Sequence, residues 1–281
     1  MLRVLIKPTT FRLTPVQEGQ NPYIDIHHKV NRHTAIKHHR DLEHALRNTI
    51  LYTLDKPEHI LPDIVFTANA GLSLPRLRKK TILLPNMKYK QRQEELPYLI
   101  EIYKNLRLNI IPYPGKEPFE GQAELKWFHG GTKAVCGYGH RSTKKTFQEL
   151  DHFFKKVYGE HHLVAPELLV LPLASFDYYH LDVAMLEFDD SKCIVHKRAL
   201  SEASIARLKK FLGPENVFVI DVKDTFCLNA VIDGSKLITH KLTADVKLLL
   251  EQITQRSVKM IDTHEFEQSG GSVRCMTLDI Y

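Results

Sequence analysis

The sequence lacks the short motifs that mark the commonest nucleotide, zinc and serine-hydrolase sites. No GxGxxG, P-loop, HExxH or GxSxG pattern occurs in its 281 residues. It also has no Gly/Ser-rich linker, no low-complexity tract, and no apolar run long enough to span a bilayer or to form the core of a signal peptide. These absences favour a single domain over residues 1–281, located in the cytoplasm, with no membrane partner.

Cysteine is scarce, and its spacing excludes the usual cysteine frameworks. The four cysteines never form a CxxC pair, which argues against a zinc ribbon, and a cytoplasmic location argues against disulfides. Cys136, Cys193 and Cys227 lie within apolar runs, where we expect inert buried thiols. Cys275 differs because it follows a glycine pair in GGSVRCMTL, residues 270–278.

Positive charge is in slight excess but is not concentrated. The net charge is +6, and the lysines and arginines are scattered along the chain, so we expect no nucleic-acid partner. The exception is HHKVNRHTAIKHHR, residues 27–40, with five histidines and four basic residues. An anion or metal site there stays open as an alternative, but the absence of repeated ligand spacing favours a solvated helix face.

Apolar runs typical of strands alternate with amphipathic helical patterns along the whole chain. About five helices are predicted, each among two or three short strands, which indicates repeated small ββα modules in an α/β protein rather than a doubly wound sheet. The predicted helices cover residues 41–54, 90–106, 145–159, 201–213 and 244–255. The predicted strands cover residues 3–9, 81–85, 108–114, 133–139, 168–173, 183–188, 193–197, 217–221, 230–233, 236–240 and 257–262.

Polar residues at the predicted strand ends include one set that can perform nucleophilic chemistry. A cysteine needs a base or cation to form a thiolate, and an imidazole needs an acid to orient it, so Cys275, His180 and Glu120 can act together. Each has an ordinary structural alternative: a buried thiol, a histidine satisfied by a backbone carbonyl, and a loop carboxylate. The spacing of the residues does not decide between these interpretations.

Six segments in order make the chain resemble the guanidino-group-modifying enzymes of the pentein superfamily. The segments are PDIVFTANAGL at residues 62–72, PFEG at 118–121, GYGHRS at 137–142, YYHLD at 178–182, CLNAV at 227–231 and GGSVRCMTL at 270–278. They are most similar to the arginine dihydrolases, which are relatives of dimethylarginine dimethylaminohydrolase and arginine deiminase. The resemblance implies a five-bladed, pseudo-symmetric α/β propeller as the fold.

The same resemblance implies roles for the residues at matching positions. Cys275 resembles the nucleophile, His180 the general acid/base and Glu120 the carboxylate that pairs with it. Asp182 resembles a ligand of the guanidinium group, and we expect it on the same strand and the same face as His180. Glu124 stands where this subgroup usually has an aspartate.

Four further residues resemble the substrate-binding set. Asn21 and Asn69 resemble the amides that hold the guanidino group in the dihydrolases. Arg92 and Arg141 resemble the clamps on the α-carboxylate of the substrate, because a planar guanidinium can bond both carboxylate oxygens.

The resemblance implies a hydrolase that acts on the guanidino group of arginine through a covalent thiouronium on cysteine. An arginine dihydrolase would yield ornithine, carbon dioxide and ammonia, and it would need neither a metal nor an organic cofactor. Two alternatives stay open: a dimethylargininase or arginine deiminase that stops at citrulline, and a propeller that only binds ligands. The expected partner is a small molecule, and a homo-oligomer is compatible with the sequence.

Overall fold

A computed structural model gives the structure of the protein and describes residues 1–54, 57–58 and 60–281. Five three-stranded sheets form in the described part of the chain. The strands are β1 Leu2–Ile6, β2 Thr49–Tyr52, β3 Leu72–Leu74, β4 Thr81–Leu83, β5 Asn109–Ile111, β6 Leu125–Phe128, β7 Lys133–Tyr138, β8 Glu167–Pro172, β9 Met185–Glu187, β10 Cys193–His196, β11 Val217–Ile220, β12 Val231–Asp233, β13 Lys236–Thr239, β14 Ser257–Met260 and β15 Leu278–Ile280. The helices are α1 Arg32–Ala45, α2 Lys90–Gln93, α3 Leu96–Asn105, α4 Lys144–Glu160, α5 Leu181–Ala184, α6 Glu202–Leu212, α7 Ala244–Thr254 and α8 His264–Glu267.

The five sheets share one connectivity. In each sheet the middle strand runs antiparallel to one neighbour and parallel to the other, as in β3-β4-β5 and β6-β7-β8. Parallel neighbours need a crossover, and a helix supplies it between the second and third strands of every blade. The prediction of five repeated small modules is therefore confirmed.

The first blade is completed by the two ends of the sequence. Strand β15 pairs antiparallel with β1, with Leu2 opposite Ile280 and Arg3 opposite Asp279. The Arg3 Nε atom also donates a buried hydrogen bond of 3.0 Å to Asp279 Oδ1. The ring of blades is therefore closed by strand pairing and by an ion pair.

The helix predicted over residues 41–54 is wrong in its position. Helix α1 begins nine residues earlier, at Arg32, after Asn31 caps it by accepting a side-chain hydrogen bond from Thr34 N, and it ends at Ala45. Asn48 then adopts a positive φ of 53°, which ends the helical path, and residues 49–52 form β2. Apolar residues continued the helical period across the turn, so the pattern concealed the strand.

The expectation of a solvated helix face at residues 27–40 is wrong for two of its histidines. His38 and His39 are buried in α1, and the His39 ring lies 6.5 Å from the ring of Phe266. Burial lowers the pKa of His39 to about 4, so this imidazole is neutral. Within residues 1–54, 57–58 and 60–281, no cluster of three or more potential ligands has the arrangement to hold a metal ion.

The core lies between the sheets and the helices outside them. Helix α4 illustrates how: Thr143 caps its first turn by accepting from Thr146 N, and Phe147, Leu150 and Phe154 bury one face against the third blade. Of the helices in the described part of the chain, none combines the length and hydrophobicity that a membrane crossing requires.

Candidate active site

One segment from each blade reaches a common point at the centre of the ring. In every blade the segment comes immediately before the first strand of the sheet. The residues so placed are Asn69 before β3, Glu120 before β6, His180 and Asp182 before β9, Asn229 before β12, and Cys275 before β15. Backbone hydrogen bonds join neighbouring segments, such as Ala68 N to Cys275 O at 2.9 Å and Gln122 N to Gly71 O at 3.0 Å. The pseudo-symmetry of the fold is what assembles this set.

These segments surround a narrow cavity. Its walls are made by Gln20, Asn21, Ile24, Asp63, Phe66, Asn69, Arg92, Arg141, Tyr179, His180, Ser269 and Cys275. Glu120 and Asp182 lie directly behind the wall, in contact with His180 and Cys275. The structure therefore brings all eight predicted site residues together. A wider groove beside α4, over Phe153 and Val157, shares no residue with this constellation.

Cys275 is a buried thiol held by an amide and a carboxylate. Its Sγ atom accepts a hydrogen bond of 3.1 Å from Asn229 Nδ2 and lies 3.5 Å from Asp182 Oδ2. Asn229 Oδ1 also accepts from the backbone N–H of Cys275 at 3.2 Å, so one amide fixes both ends of the residue. Burial and the charge of Asp182 raise the pKa of the thiol well above its ordinary value. In this state of the site the sulfur is protonated.

His180 and Glu120 form a buried imidazole–carboxylate pair. His180 Nε2 lies 2.8 Å from Glu120 Oε2, and both side chains are inaccessible to solvent. Burial lowers the pKa of His180, and the hydrogen bond to Glu120 offsets only part of that effect. The pair therefore provides a neutral imidazole near the thiol, oriented by an ionised carboxylate.

Arg141 holds Glu120 in its charged form. Its Nη1 atom donates a 2.8 Å hydrogen bond to Glu120 Oε2, and its guanidinium lies 4.9 Å from the ring centre of Tyr89 and 5.0 Å from that of Tyr179. Burial alone would raise the pKa of Glu120, but Arg141 and the bond from His180 outweigh it and hold that pKa well below its ordinary value. Arg141 Nε is buried and has no hydrogen-bond partner among the described residues.

Arg92 lines the cavity from the second blade. It donates through Nη1 to Asn69 Oδ1 at 3.2 Å and through Nη2 to Glu95 Oε2 at 3.0 Å. Asp63, which accepts from Gln17 Nε2 at 2.7 Å, lies in the same wall. The cavity therefore contains two guanidinium groups and a carboxylate, the charges that match an amino-acid backbone.

Asn69 and Asn21 are the two amides of the cavity. Asn69 Nδ2 lies 3.4 Å from Glu120 Oε2 and 3.5 Å from His180 Nε2, so it stands beside the imidazole. Asn21 Nδ2 donates to Ser269 O at 3.0 Å. Gly270 approaches Asn21 so closely that a Cβ there would lie 2.5 Å from the amide, and its φ is +86°. The amide is thus held in one place by a position that only glycine fits.

Two sequence-based expectations about neighbouring residues need revision. Asp182 does not share a strand with His180, because His180 caps the one-turn helix α5 and Asp182 lies inside that helix, three residues before β9 begins. The tight turn of α5, rather than the side-chain alternation of a strand, directs both side chains towards the site. Glu124, which replaces the aspartate of the dihydrolases, is fully buried behind Glu120 and accepts from its backbone N–H at 2.9 Å. Burial and the charge of Glu120 raise the pKa of Glu124 to about 8.

Three residues of the site were missed from the sequence. Asn229 lies in the quoted segment CLNAV, but an amide at a strand end has no distinctive chemistry until the thiol it contacts is known. Asp63 lies in PDIVFTANAGL and was likewise given no role. Tyr179, the residue before His180, stacks on Arg141 and donates to the carbonyl of Gly270 at 2.5 Å.

Comparisons with known proteins identify the family of the chain. The family model described as N,N dimethylarginine dimethylhydrolase, eukaryotic, matches residues 8–281. The bifunctional arginine dihydrolase/ornithine cyclodeaminase ArgZ of Synechocystis is 26% identical over 269 residues, which are 92% of this chain but only 35% of that enzyme. The N(G),N(G)-dimethylarginine dimethylaminohydrolase of Mycobacterium tuberculosis is 26% identical over 269 residues, 93% of this chain and 80% of that protein.

A solved structure shows the same fold. The crystal structure of the N-terminal domain of ArgZ with bound substrate, an arginine dihydrolase from cyanobacteria, superposes with a TM-score of 0.83 at 22% identity. The match covers 98% of this chain and 96% of that domain. The five-bladed pentein propeller expected from the sequence is confirmed.

Proposed function

The chain belongs to the N,N-dimethylarginine dimethylhydrolase family of the eukaryotic type, and from this membership we propose that it is an amidine hydrolase acting on the guanidino group of arginine, as an arginine dihydrolase. We place the chemistry in one pentein domain over residues 1–281. One observation carries the proposal: a buried thiol and a buried imidazole–carboxylate pair face the same cavity, and a second carboxylate lies 3.5 Å from the sulfur. Thiol, acid/base and cation ligand are the three groups that attack on a guanidinium carbon requires.

The charges of the cavity fit both ends of arginine. Arg141 and Arg92 supply donors for an α-carboxylate, and Asp63 supplies an acceptor for the α-amino group. At the other end Asp182, beside the sulfur, binds the guanidinium cation. This arrangement holds the guanidino carbon against Cys275, which replaces an unfavourable encounter in solution by a fixed contact.

Substrate binding activates the nucleophile. Asp182 favours the protonated thiol in the empty cavity, and a guanidinium bound beside Asp182 cancels that negative charge. The thiol then loses its proton to neutral His180, whose Nδ1 is not engaged by Glu120. The thiolate and the imidazolium are thus formed together, and only when a cation is present.

Two bond exchanges give citrulline. Cys275 Sγ bonds to the guanidino carbon, and the carbon–nitrogen bond of one amino group breaks as His180 donates its proton to the departing ammonia. A thiouronium on Cys275 remains. Neutral His180 then removes a proton from water, the water oxygen bonds to the same carbon, and the carbon–sulfur bond breaks to release the ureido product and restore the thiol.

The amides Asn21 and Asn69 favour a second hydrolysis. Citrulline is neutral, and carboxylates in place of these amides would prefer the charged substrate and release the product. An amide can hold a ureido group through one donor and one acceptor. A second attack by Cys275 on the ureido carbon expels the remaining ammonia, and hydrolysis then gives ornithine and carbon dioxide.

A dimethylargininase that stops at citrulline is the second candidate. It is favoured by the family model and by the Mycobacterium tuberculosis relative. The two activities share the thiol, the imidazole and the carboxylates, so they differ in which nitrogen leaves and in whether citrulline is retained.

Product analysis tests the proposal. Arginine should be converted to ornithine with two ammonia molecules for each arginine, and mass spectrometry of incubations with arginine, citrulline, agmatine and methylated arginines measures it. Asn69→Asp should release free citrulline, because a carboxylate next to the neutral intermediate weakens its binding while the cationic substrate still binds. Asn105→Asp, on the exposed end of α3, is the matched control and should leave the product ratio unchanged. A wild type that stops at citrulline, or that hydrolyses only dimethylarginine, overturns the dihydrolase assignment.

Arg141→Lys should raise KM for arginine by about tenfold or more and also lower kcat. A single ammonium cannot replace the fork that bonds Glu120 and the Gln20 carbonyl and still presents a free Nε to the substrate. Steady-state kinetics measure both parameters, and Arg207→Lys on the surface serves as control. A lower kcat with an unchanged KM would assign Arg141 to the support of Glu120 alone.

A further inference from the structure

Another buried histidine, His240, lies between the two segments that hold the nucleophile. His240 follows β13 and is 6% exposed. Its Nε2 atom lies 3.0 Å from Asp224 Oδ2 and its Nδ1 atom 3.2 Å from Glu267 Oε1. Asp224 belongs to the loop between β11 and β12, and Glu267 to helix α8. The cavity wall does not include this imidazole, and the proposed reaction does not use it.

From Asp224 a chain of hydrogen bonds leads to the sulfur. Asp224 Oδ1 accepts from Phe226 N at 3.0 Å, and Phe226 O accepts from Asn229 N at 2.9 Å. Asn229 is the residue whose amide contacts Cys275 Sγ at 3.1 Å. The position of Asp224 therefore sets the position of the amide that orients the thiol.

From Glu267 a second chain leads to the same thiol. Thr263 Oγ1 donates to Glu267 Oε1 at 2.6 Å and lies 2.9 Å from Ser272 Oγ. Ser272 O in turn accepts from the backbone N–H of Met276, the residue after Cys275, at 3.3 Å. The residues after Glu267 also anchor the cavity wall, because Ser269 O accepts from Asn21 Nδ2 at 3.0 Å. Each carboxylate beside His240 is thus connected to the segment of the nucleophile by three successive contacts.

The imidazole has a carboxylate near each nitrogen: Nδ1 is hydrogen-bonded to Glu267, and Nε2 lies within ion-pair distance of Asp224. A proton on each nitrogen allows the ring to attract both carboxylates. Burial lowers the pKa of His240, but Asp224 and Glu267 outweigh it and raise the pKa to about 9. The other charged groups near His240 are paired with each other. Lys241 pairs with Asp262, and Asp262 also contacts His38. The bridge is complete below the ordinary histidine pKa of about 6.5 and is lost as the pH rises through about 9.

We propose that the imidazolium of His240, paired with Asp224 and Glu267, is a positioning residue. It fixes the two segments that hold the nucleophile relative to each other. The proposal rests on Cys275 acting as the nucleophile. When the imidazolium loses a proton, it no longer attracts both carboxylates. The segment that carries the unpaired carboxylate is then no longer held in place. Asn229 and Ser272 then no longer orient the sulfur together.

His240→Gln tests this role, because glutamine has a single donor group and cannot serve both carboxylates. We expect kcat to fall about tenfold or more with KM changed less than twofold, and the loss of wild-type activity above pH 9 to be absent from the variant's pH profile. Asp224→Asn, which keeps the imidazole, should move that loss to lower pH. His33→Gln, exposed on α1, is the control and should match wild type. Unchanged kinetics, or a lower kcat with the wild-type alkaline loss retained, overturns the positioning role.

A readout that does not need turnover separates this inference from the proposed function. The rate at which iodoacetamide alkylates Cys275, followed by peptide mass spectrometry across pH 6 to 10, reports the state of the thiol directly. In the wild type the rate should change in slope near pH 9, and in His240→Gln it should follow a single titration. Identical profiles in the two proteins contradict the inference even if no substrate is turned over. A wild type without turnover, but with the expected difference in alkylation, refutes the dihydrolase assignment alone.

Discussion

Cys275→Ser should abolish hydrolysis of arginine, with a loss of about a thousandfold or more. A serine hydroxyl is a far weaker acid than a thiol, so no oxyanion forms before attack, and the hydroxyl attacks much more slowly with proton transfer to neutral His180. The substitution changes one atom in a buried side chain, so packing is retained. Release of ammonia, measured over hours at high enzyme concentration, gives the residual rate. Activity above a tenth of wild type would contradict the nucleophile assignment.

The control for this variant is a cysteine outside the cavity. Cys193→Ser changes a buried thiol in β10, far along the sheet from the cavity wall, and should keep most of the activity. The Cys275→Ser protein should still bind arginine, detected as a rise in its unfolding temperature with ligand. Loss of both binding and folding would mean that the thiol is structural.

Glu120→Gln should reduce kcat by about a hundredfold or more and lower the free energy of unfolding by about 3 kcal/mol. The neutral amide no longer orients His180 as a base, and it leaves the Arg141 guanidinium buried beside an uncharged group. Kinetics and urea unfolding measure the two effects on the same samples. This loss in the free energy of unfolding is large for a substitution that replaces one carboxylate oxygen by an amide nitrogen.

The pH dependence of this cost follows from the direction of the pKa shift. Because the pKa of Glu120 is lowered by folding, the stabilisation is present above the ordinary glutamate pKa of about 4.3 and is lost as the pH falls through the lower folded value. The difference between wild type and Glu120→Gln should therefore be constant near neutrality and shrink in acid. Glu101→Gln, exposed on α3, should cost far less stability than Glu120→Gln at every pH. An equal cost for both variants would contradict the buried ion pair.

The five modules were predictable because each carries two strong signals: a run of apolar residues for its central strand and an amphipathic helix. The strands that were missed, β2, β3, β6 and β15, are only three or four residues long, and the last three of them follow polar site residues. Such a segment has too few positions to show a period of two. Their pairing is decided by the neighbouring strand, which the local sequence does not contain.

The site shows the same division between local and distant information. Cys275, His180 and Glu120 were identified because their residue types carry chemistry and their segments resemble a known family. The ion pair between Arg141 and Glu120 was not predicted, because it joins a residue before β6 to a residue after β7, 21 positions away, and neither looks unusual by itself. Asn229 was overlooked for the same reason. Tertiary contacts give these residues their importance, and no short pattern records such contacts.

The closure of the first blade by β15 also links the assembly of the site to the completion of the fold. The bond between Arg3 and Asp279 joins residues 276 positions apart, and bringing such distant parts of a chain together is among the slowest steps in folding. Cys275 lies three residues before β15, in a segment that reaches the centre only when this strand is seated. A chain in which β15 is not paired with β1 should therefore lack the assembled thiol and imidazole.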